Sequence, residues 1–346
     1  MEEKYMLRAL QLAELGRGLV SPNPMVGCVI VHNDRIVGEG WHKKYGDWHA
    51  EVNAVNSVKD PSILPECTVY VTLEPCSHFG KTPPCADLLV QHRVKKVVIC
   101  NDDLFPLVAG KGIEKLRNAG IEVEKGLLQE KGRALNARFF SYVEKKRPYV
   151  ILKWAETADS FIAGENYEPL KISNALSHKV AHKWRSEEDA ILVGTNTARC
   201  DNPKLNVREW AGSRNPIRIV IDRQLKLPQS LHLFDQTQET LIINESTEAT
   251  EGKNTYIKVE FGEAFIENLL HALYQRKIQS VYVEGGTKLL QSFIEAQLFD
   301  EIRVFRCSGH FHKGVAAPIM PKNIDIADKQ NLLVDELTIY KSSLLL

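Results

Sequence analysis

Three side chains in the first quarter of the chain have the types and spacing to hold a transition metal: His49, Cys76 and Cys85. One imidazole and two thiolates form a donor set that suits zinc, although iron can occupy the same ligands. Three protein ligands leave a fourth position for water, as in catalytic sites, whereas a structural site normally takes four. Glu51 follows His49 by two residues, on the first turn of an expected helix, where it is placed to shuttle protons rather than to ligate. Pro75 precedes Cys76, and Cys85 opens another expected helix, whose positive end favours a thiolate. Between the thiols, residues 77–84 (SHFGKTPP) put His78 and Lys81 on a Gly/Pro-rich loop that can offer an imidazole and a cation to a phosphate.

A second, more diffuse group lies downstream. Arg185 and Arg208 can grip a phosphate bidentately, and Val283-Glu-Gly-Gly286 joins a strand to a helix opening at Thr287, where backbone N–H groups can meet a phosphate. Taken alone, these also read as solvated charges and a tight turn. No G-x-G-x-x-G follows a strand, so a Rossmann domain is not supported. Cys28, Cys67, Cys100, Cys200 and Cys307 have no ligand-like company and read as structural, and His310 and His312, without a third ligand, as a surface strand.

Hydrophobic period and chain breakers predict the elements that must position these groups. In the first half they predict a helix over the first 16 residues, a loop at 21–24, strands over 26–32 and 36–38, a helix over 49–58 and a strand over 68–73. A helix over 85–92, strands over 94–100 and 121–124, and helices over 111–119 and 129–145 follow. The charged run 144–148, ending in proline, marks a domain boundary. Beyond it come strands over 149–155, 190–193, 217–221, 241–243, 256–259, 280–284, 301–306 and near 337–340, with helices over 173–186, 263–276 and 287–296. The 189–208 segment reads as a strand running into a loop. Such alternation is a layered α/β architecture in two domains, 1–146 and 147–346.

Composition agrees. The 346 residues carry 44 lysines and arginines against 44 acidic residues, a balance that argues against a nucleic-acid or anionic-membrane binder. No apolar run reaches the ~20 residues of a membrane span, and the acidic, amphipathic MEEKYMLRAL start is unlike a targeting peptide, so a cytoplasmic protein is expected. Seven cysteines, an odd number, do not suggest a disulfide framework.

The H-x-E…P-C pattern is the signature of zinc deaminases, and the motifs around it go further. S-P-N-P-M-V-G-C-V (21–29), G-E-G-W-H (38–42), H-A-E (49–51), T-L-E-P-C-S-H-F-G-K-T-P-P-C (72–85) and P-L-V-A-G-K-G (106–112) resemble the bifunctional deaminase–reductases of riboflavin biosynthesis. In the second half Y-V-I-L-K (149–153), Thr157 with Asp159, W-R (184–185), the 189–208 segment, P-I-R-I-V-I-D (216–222) and V-E-G-G-T (283–287) resemble the reductase domain of the same family. The resemblance implies a cytidine-deaminase-like three-layer α/β/α domain followed by a dihydrofolate-reductase-like α/β domain, with Zn2+ and NADPH as cofactors. It implies hydrolysis of an amino group of a diaminopyrimidinone ribosyl 5'-phosphate, then reduction of the ribosyl group to ribityl.

By the same resemblance His49, Cys76 and Cys85 are the metal ligands, Glu51 is the general acid/base, and Asn23, His42, His78 and Lys81, with Asp103, contact the deaminase substrate. In the reductase, Thr197, Asp201, Gly286, Thr287 and Lys288 face NADPH. Arg185, Leu205, Arg208 and Glu284 hold the ribosyl phosphate, and Lys153 and Asp159 line the same site. The chain departs from the family pattern at Phe105, at Ser160 (glycine in S-L-D-G), at Lys171 and over 306–314. The alternative reading is therefore a deaminase whose second domain only holds substrate or mediates oligomers. A nucleic-acid deaminase is disfavoured by the neutral charge and the lack of a basic aromatic groove. A homo-oligomer is a general expectation for a soluble enzyme.

Overall fold

A computed structural model of the chain describes residues 2–78, 83–105, 110–167, 172–211 and 214–342; Lys81 and Lys171 lie outside them. The chain divides into two compact units, Met1–Lys146 and Arg147–Leu346.

The first unit contains α1 (Glu3–Glu14), β1 (Gly27–His32), β2 (Arg35–Trp41), α2 (Ala50–Ser57), β3 (Thr68–Leu73) and α3 (Cys85–Gln91). β4 (Lys96–Asn101), α4 (Lys111–Asn118), β5 (Glu122–Lys125), α5 (Gln129–Leu135) and α6 (Ala137–Lys145) complete it. Its sheet runs β2-β1-β3-β4-β5, antiparallel about β1 and parallel from β3 to β5. The three central strands, β1, β3 and β4, are nearly continuously apolar because both faces are covered, while the edge strands β2 and β5 carry polar, exposed residues. Cys28, Ile30, Val69, Val71, Val97 and Ile99 pack under α2, α3 and α4, while Val29, Val31, Tyr70 and Val98 meet Met6, Ala9 and Leu10 of α1. This is the expected three-layer sandwich.

The single helix expected over 129–145 is broken at Asn136 (φ −98°, ψ 28°). The buried Asn136 amide donates to the Met25 carbonyl at 2.9 Å and accepts the Met25 N–H at 2.8 Å. A side chain committed to another segment's backbone in this way favours a helix end over a helix interior.

The second unit begins with β6 (Tyr149–Glu156), β7 (Phe161–Ala163), α7 (Ala175–Glu187), β8 (Ala190–Val193), α8 (Thr195–Asp201) and β9 (Ile217–Ile221). It continues with β10 (Thr240–Asn244), β11 (Ala249–Glu251), β12 (Asn254–Lys258), α9 (Phe265–Gln275), β13 (Ser280–Val283) and α10 (Thr287–Glu295). β14 (Glu301–Arg306), β15 (Val315–Ala316), β16 (Ile324–Leu332) and β17 (Asp335–Ser342) end it. Ten strands form one sheet in the order β11-β12-β10-β9-β8-β13-β6-β14-β17-β16, parallel from β12 to β14 and antiparallel at both edges. α9 and α10 bury Leu269, Leu270, Leu273, Leu290 and Phe293 against one face. On the other, Trp184 of α7 stacks on Phe305 and takes the Arg303 guanidinium at 4.4 Å from its ring.

Three local readings change here. Residues 195–201, expected as loop, form α8, although Thr, Asn and Asp in that stretch favour turns. β16 was hidden because seven of its nine residues are exposed, as suits an edge strand with no face in the core. His310 and His312 lie in a loop instead of a strand. The Asp159 carboxylate accepts the backbone N–H groups of Phe311 and His312, donors that a ladder would need. Ser160, at the place of the family glycine, adopts φ 63° in the turn before β7, a left-handed position that costs an L-residue about 1 kcal/mol.

Candidate active sites

Three element ends converge in the first unit. His49 is the extended residue that starts α2, Cys76 follows the end of β3, and Cys85 is the first residue of α3. His49 Nδ1 lies 3.5 Å from Cys76 Sγ and 3.4 Å from Cys85 Sγ, and the three donor atoms fall within 4.8 Å of one another. Those separations are close to what a nitrogen ~2.0 Å and a sulfur ~2.3 Å from one tetrahedral centre would span, so the residues fit zinc. Among the described residues no other three His, Cys, Asp or Glu side chains converge in this way.

The electrostatics suit the same reading. A hydrogen bond from the Cys85 thiol, with others from His49 and the Cys85 backbone N–H, brings Cys76 well below the usual thiol range, so of the two sulfurs it is the one that favours the thiolate. Cys85 is pushed up by the same shared proton and by burial. Burial raises the Glu51 carboxyl to about 7, with the Cys76 charge adding to it. A carboxyl that can hold or release a proton near neutral pH is what general acid/base work requires.

His42, buried behind His49 with the rings edge-on at 5.4 Å, has both nitrogens engaged: Nδ1 with the Trp48 carbonyl and Nε2 with Asn23 Nδ2, each at 3.1 Å. Burial foremost lowers its pKa, so it stays neutral, Nδ1 donating and Nε2 accepting. Asn23 is half-buried and His78 exposed. Asp103 is buried, its carboxyl raised to about 6 by desolvation, and it accepts the backbone N–H of Phe105 at 2.8 Å.

Sequence reasoning missed Glu74. Its buried carboxylate accepts backbone N–H groups from Asp103, Gly110, Gly112 and Ile113 at 3.0–3.4 Å, tying the start of α4 to the residue two before Cys76. Gly112 packs so tightly that a Cβ there would stand 2.0 Å from the Pro75 carbonyl oxygen. The signal was present in E-P-C, where an acid two residues before a ligand had no assigned task.

In the second unit a cavity of about 770 Å³ opens at the C-terminal ends of β6, β8, β9 and β13, the usual ligand position in a parallel sheet. α8 and α10 both start there, from adjacent strands. The Gly194 N–H donates to the Gly285 carbonyl at 2.9 Å, and Gly285 takes φ 116°, which only glycine adopts readily. Thr197 and Asp201 of α8 and Gly286, Thr287 and Lys288 at the start of α10 all line the cavity, as do Lys153 and Glu284. A volume in the range of cofactor sites and two helix N-termini presented to it suit a phosphorylated dinucleotide.

Arg185, Leu205, Arg208 and Asp159 do not line it. Arg185 donates to both Glu284 oxygens, at 2.7 and 2.6 Å, and to the Asn206 carbonyl at 3.2 Å. Burial pushes the Glu284 carboxyl up, but Arg185 and Lys153 outweigh it and hold it at about 2. Leu205 is buried at φ 49°, and Arg208 is exposed. Asp159, bonded to Thr157 Oγ1 and to the 311–312 backbone, holds a loop. Ser160 and residues 306–314, where the sequence departs from the family pattern, lie outside the cavity lining. His178 and His182 were also missed. They stand at i, i+4 and i+7 with Arg185, one stripe of α7, and His178 lines the cavity.

Known proteins show the same two parts in the same order. Residues 1–101 match the cytidine and deoxycytidylate deaminase zinc-binding region, and residues 148–309 match the RibD C-terminal domain. The riboflavin biosynthesis protein RibD of Aquifex aeolicus is 40% identical over 332 residues, covering 95% of this chain and 90% of the relative. The chain belongs to the RibD family. RibD of Escherichia coli is 36% identical over 321 residues, 88% of this chain and 87% of its own. The crystal structure of a diaminohydroxyphosphoribosylaminopyrimidine deaminase/5-amino-6-(5-phosphoribosylamino)uracil reductase from Thermotoga maritima superposes with a TM-score of 0.89 at 36% identity, covering 98% of each chain. RibD of Acinetobacter baumannii gives 0.89 at 31% identity over 99% of each. The fold is thus that of the RibD family, a cytidine-deaminase-like unit followed by a dihydrofolate-reductase-like one.

Proposed function

We propose that residues 1–146 deaminate a 2,5-diamino-6-ribosylamino-pyrimidinone 5'-phosphate and that residues 147–346 reduce the ribosyl group of the product to ribityl, two steps of riboflavin biosynthesis. The observation that carries the reading is the convergence of His49, Cys76 and Cys85 beside a buried Glu51 in a chain whose relatives match it along nearly all its length.

Zinc held by His49, Cys76 and Cys85 would supply the Lewis acidity that lets a water give up a proton near neutral pH. Glu51 accepts that proton as water adds to the amino-bearing ring carbon, and returns it to the departing ammonia. His42, edge-on to His49 and bonded to Asn23, contacts the substrate, and Glu74 fixes the strand end that carries Cys76. Asn23, His78, Lys81 and Asp103 contact the substrate, Lys81 and His78 suiting its phosphate.

NADPH held by the residues that line the second unit's cavity would supply the hydride that reduces C1 of the opened ribose, the balancing proton coming from solvent. Thr197, Asp201, Gly286, Thr287 and Lys288 orient the cofactor. Glu284, held by Arg185, and Lys153 face the sugar, while Leu205 and Arg208 hold the phosphate end; Asp159 acts through the 311–312 loop. The lined cavity favours an active reductase over a merely holding domain. The protein is expected to be cytoplasmic and homo-oligomeric, acting on a small molecule and not on nucleic acid. Among the described residues no helix is long and apolar enough to cross a membrane.

The test follows ammonia release and NADPH oxidation together on the diamino substrate. Wild type should show both, and Glu51→Gln neither, while the variant still oxidises NADPH when given the deaminated intermediate. Ammonia without NADPH oxidation would leave a deaminase alone.

A further inference from the structure

The segment from Leu205 to Arg208 is held by its backbone, from one face of α7 and from Asn215. Arg185 donates to the Asn206 carbonyl, and one turn earlier on the same stripe His182 Nδ1 accepts the Arg208 backbone N–H at 3.3 Å. His182 is buried, with 2% of its surface exposed, and its Nε2 stands 3.7 Å from Glu209 Oε1. The neighbouring charges are Arg185 on its own helix, Arg208 and Glu209 on the segment, and Glu284 from the end of β13. Burial, followed by the two arginines, brings the imidazole down to about 4 and so leaves Nδ1 free to accept. Arg208's guanidinium, in contrast, reaches among the described residues only neighbours on its own segment, Asn206 and Glu209, and more than half of its side chain is exposed.

We propose that His182 is a positioning residue of the reductase: by accepting the Arg208 backbone N–H, it sets the direction in which the Arg208 side chain meets the substrate's phosphate. The proposal rests on the reading above that the Leu205–Arg208 segment holds that phosphate. Arg185 and His182 grip the two ends of a three-residue span, Asn206 to Arg208, whose preceding residue already sits at positive φ. Asn215 Oδ1 also accepts the Val207 N–H between them at 2.8 Å, so loss of the His182 contact loosens Arg208 alone, the residue that carries the cation.

The two polar variants of similar size separate positioning from packing. In Asn, Oδ1 occupies the place of imidazole Nδ1; in Gln, the amide oxygen lies one bond further out, in the place of Nε2. The zinc-loaded full chain is assayed for NADPH oxidation with the deaminated ribosylamino-pyrimidine 5'-phosphate, alongside NADPH affinity by fluorescence titration, ammonia release and Tm. His182→Gln should raise the reductase KM for this substrate about tenfold with kcat, NADPH affinity and ammonia release within about twofold of wild type. His182→Asn should restore KM to within about twofold. Equal KM values for Gln and wild type, or equal losses in Gln and Asn that track a fall in Tm, would overturn the positioning role. Arg208→Leu is the control on the premise: if it leaves KM unchanged, the phosphate reading of the segment fails, and the proposal with it.

Discussion

The metal site of the first unit takes its chemistry from a few uncommon side chains, each fixed at the end of a helix or strand. The cavity of the second takes much of its shape from backbone, with the starts of α8 and α10 and the Gly285–Gly286 turn supplying amide groups, and with Lys153, Glu284 and Arg185 sharing charge beside them. The first design concentrates function, so one atom removed should abolish it. The second distributes it, so single changes should weaken binding or stability before they stop the reaction. The two halves of one chain thus offer each other as internal controls.

The sharpest way to test that contrast is Glu51→Gln. Ammonia release should fall by roughly 10²–10⁴-fold, measured at saturating substrate, with no effect on the NADPH-dependent reduction of the deaminated intermediate. A milder loss would mean that proton transfer is shared with another group.

Glu284→Gln asks the corresponding question of the second unit. It strands Arg185 and Lys153 in a buried setting, and removal of one partner from such a pair costs about 3–5 kcal/mol. Calorimetry should show a lower Tm and the reductase should lose activity, while ammonia release persists. If Tm is unchanged, the cations have found water and the pair is not a structural element of the cavity.

Glu74→Ala probes support for the metal site rather than the site itself. It leaves four backbone N–H groups without their acceptor, at a cost of about 1–3 kcal/mol for each that stays buried and unpaired. Zinc should pass to a chromogenic chelator faster than from wild type, with reductase KM unchanged. Equal transfer rates would show that Cys76 is held without this anchor.

The smallest expected effect concerns pH. The Glu284 carboxyl is depressed from 4.5 to about 2, so its contribution to stability is fully present above about 4.5 and is lost as pH falls toward 2. The Tm difference between wild type and Glu284→Gln should therefore shrink from pH 6 to the lowest pH at which the protein remains soluble. A difference that stays constant would mean that the ion pair has no net linkage to folding.

The sheet strands and the metal ligands were legible because their signals are strong and local. TVYVTL is apolar on both faces and became β3 with the expected bounds, and a histidine and two cysteines in H-A-E and P-C settings have few other uses. β16 and the 307–314 loop were not, since an exposed edge strand shows no buried period and the loop is held by Asp159, more than 150 residues away in the chain. Glu74 escaped because its task is to satisfy backbone groups of α4, a contact that no residue type announces. His182 and His178 were readable only after α7 was known to face the cavity, when their helical spacing to Arg185 acquires meaning.

Each metal-binding thiol has a mooring of its own, Cys76 by the end of β3, Pro75 against Gly112 and the Glu74 knot, Cys85 by the first turn of α3, and the Cys85 and Ala86 N–H groups tie the two directly by donating to Cys76 Sγ and to its carbonyl. The distance between the sulfurs is therefore set from outside the residues that join them. The metal geometry should therefore tolerate changes in the length and sequence of the 77–84 connection, including its replacement by an engineered loop.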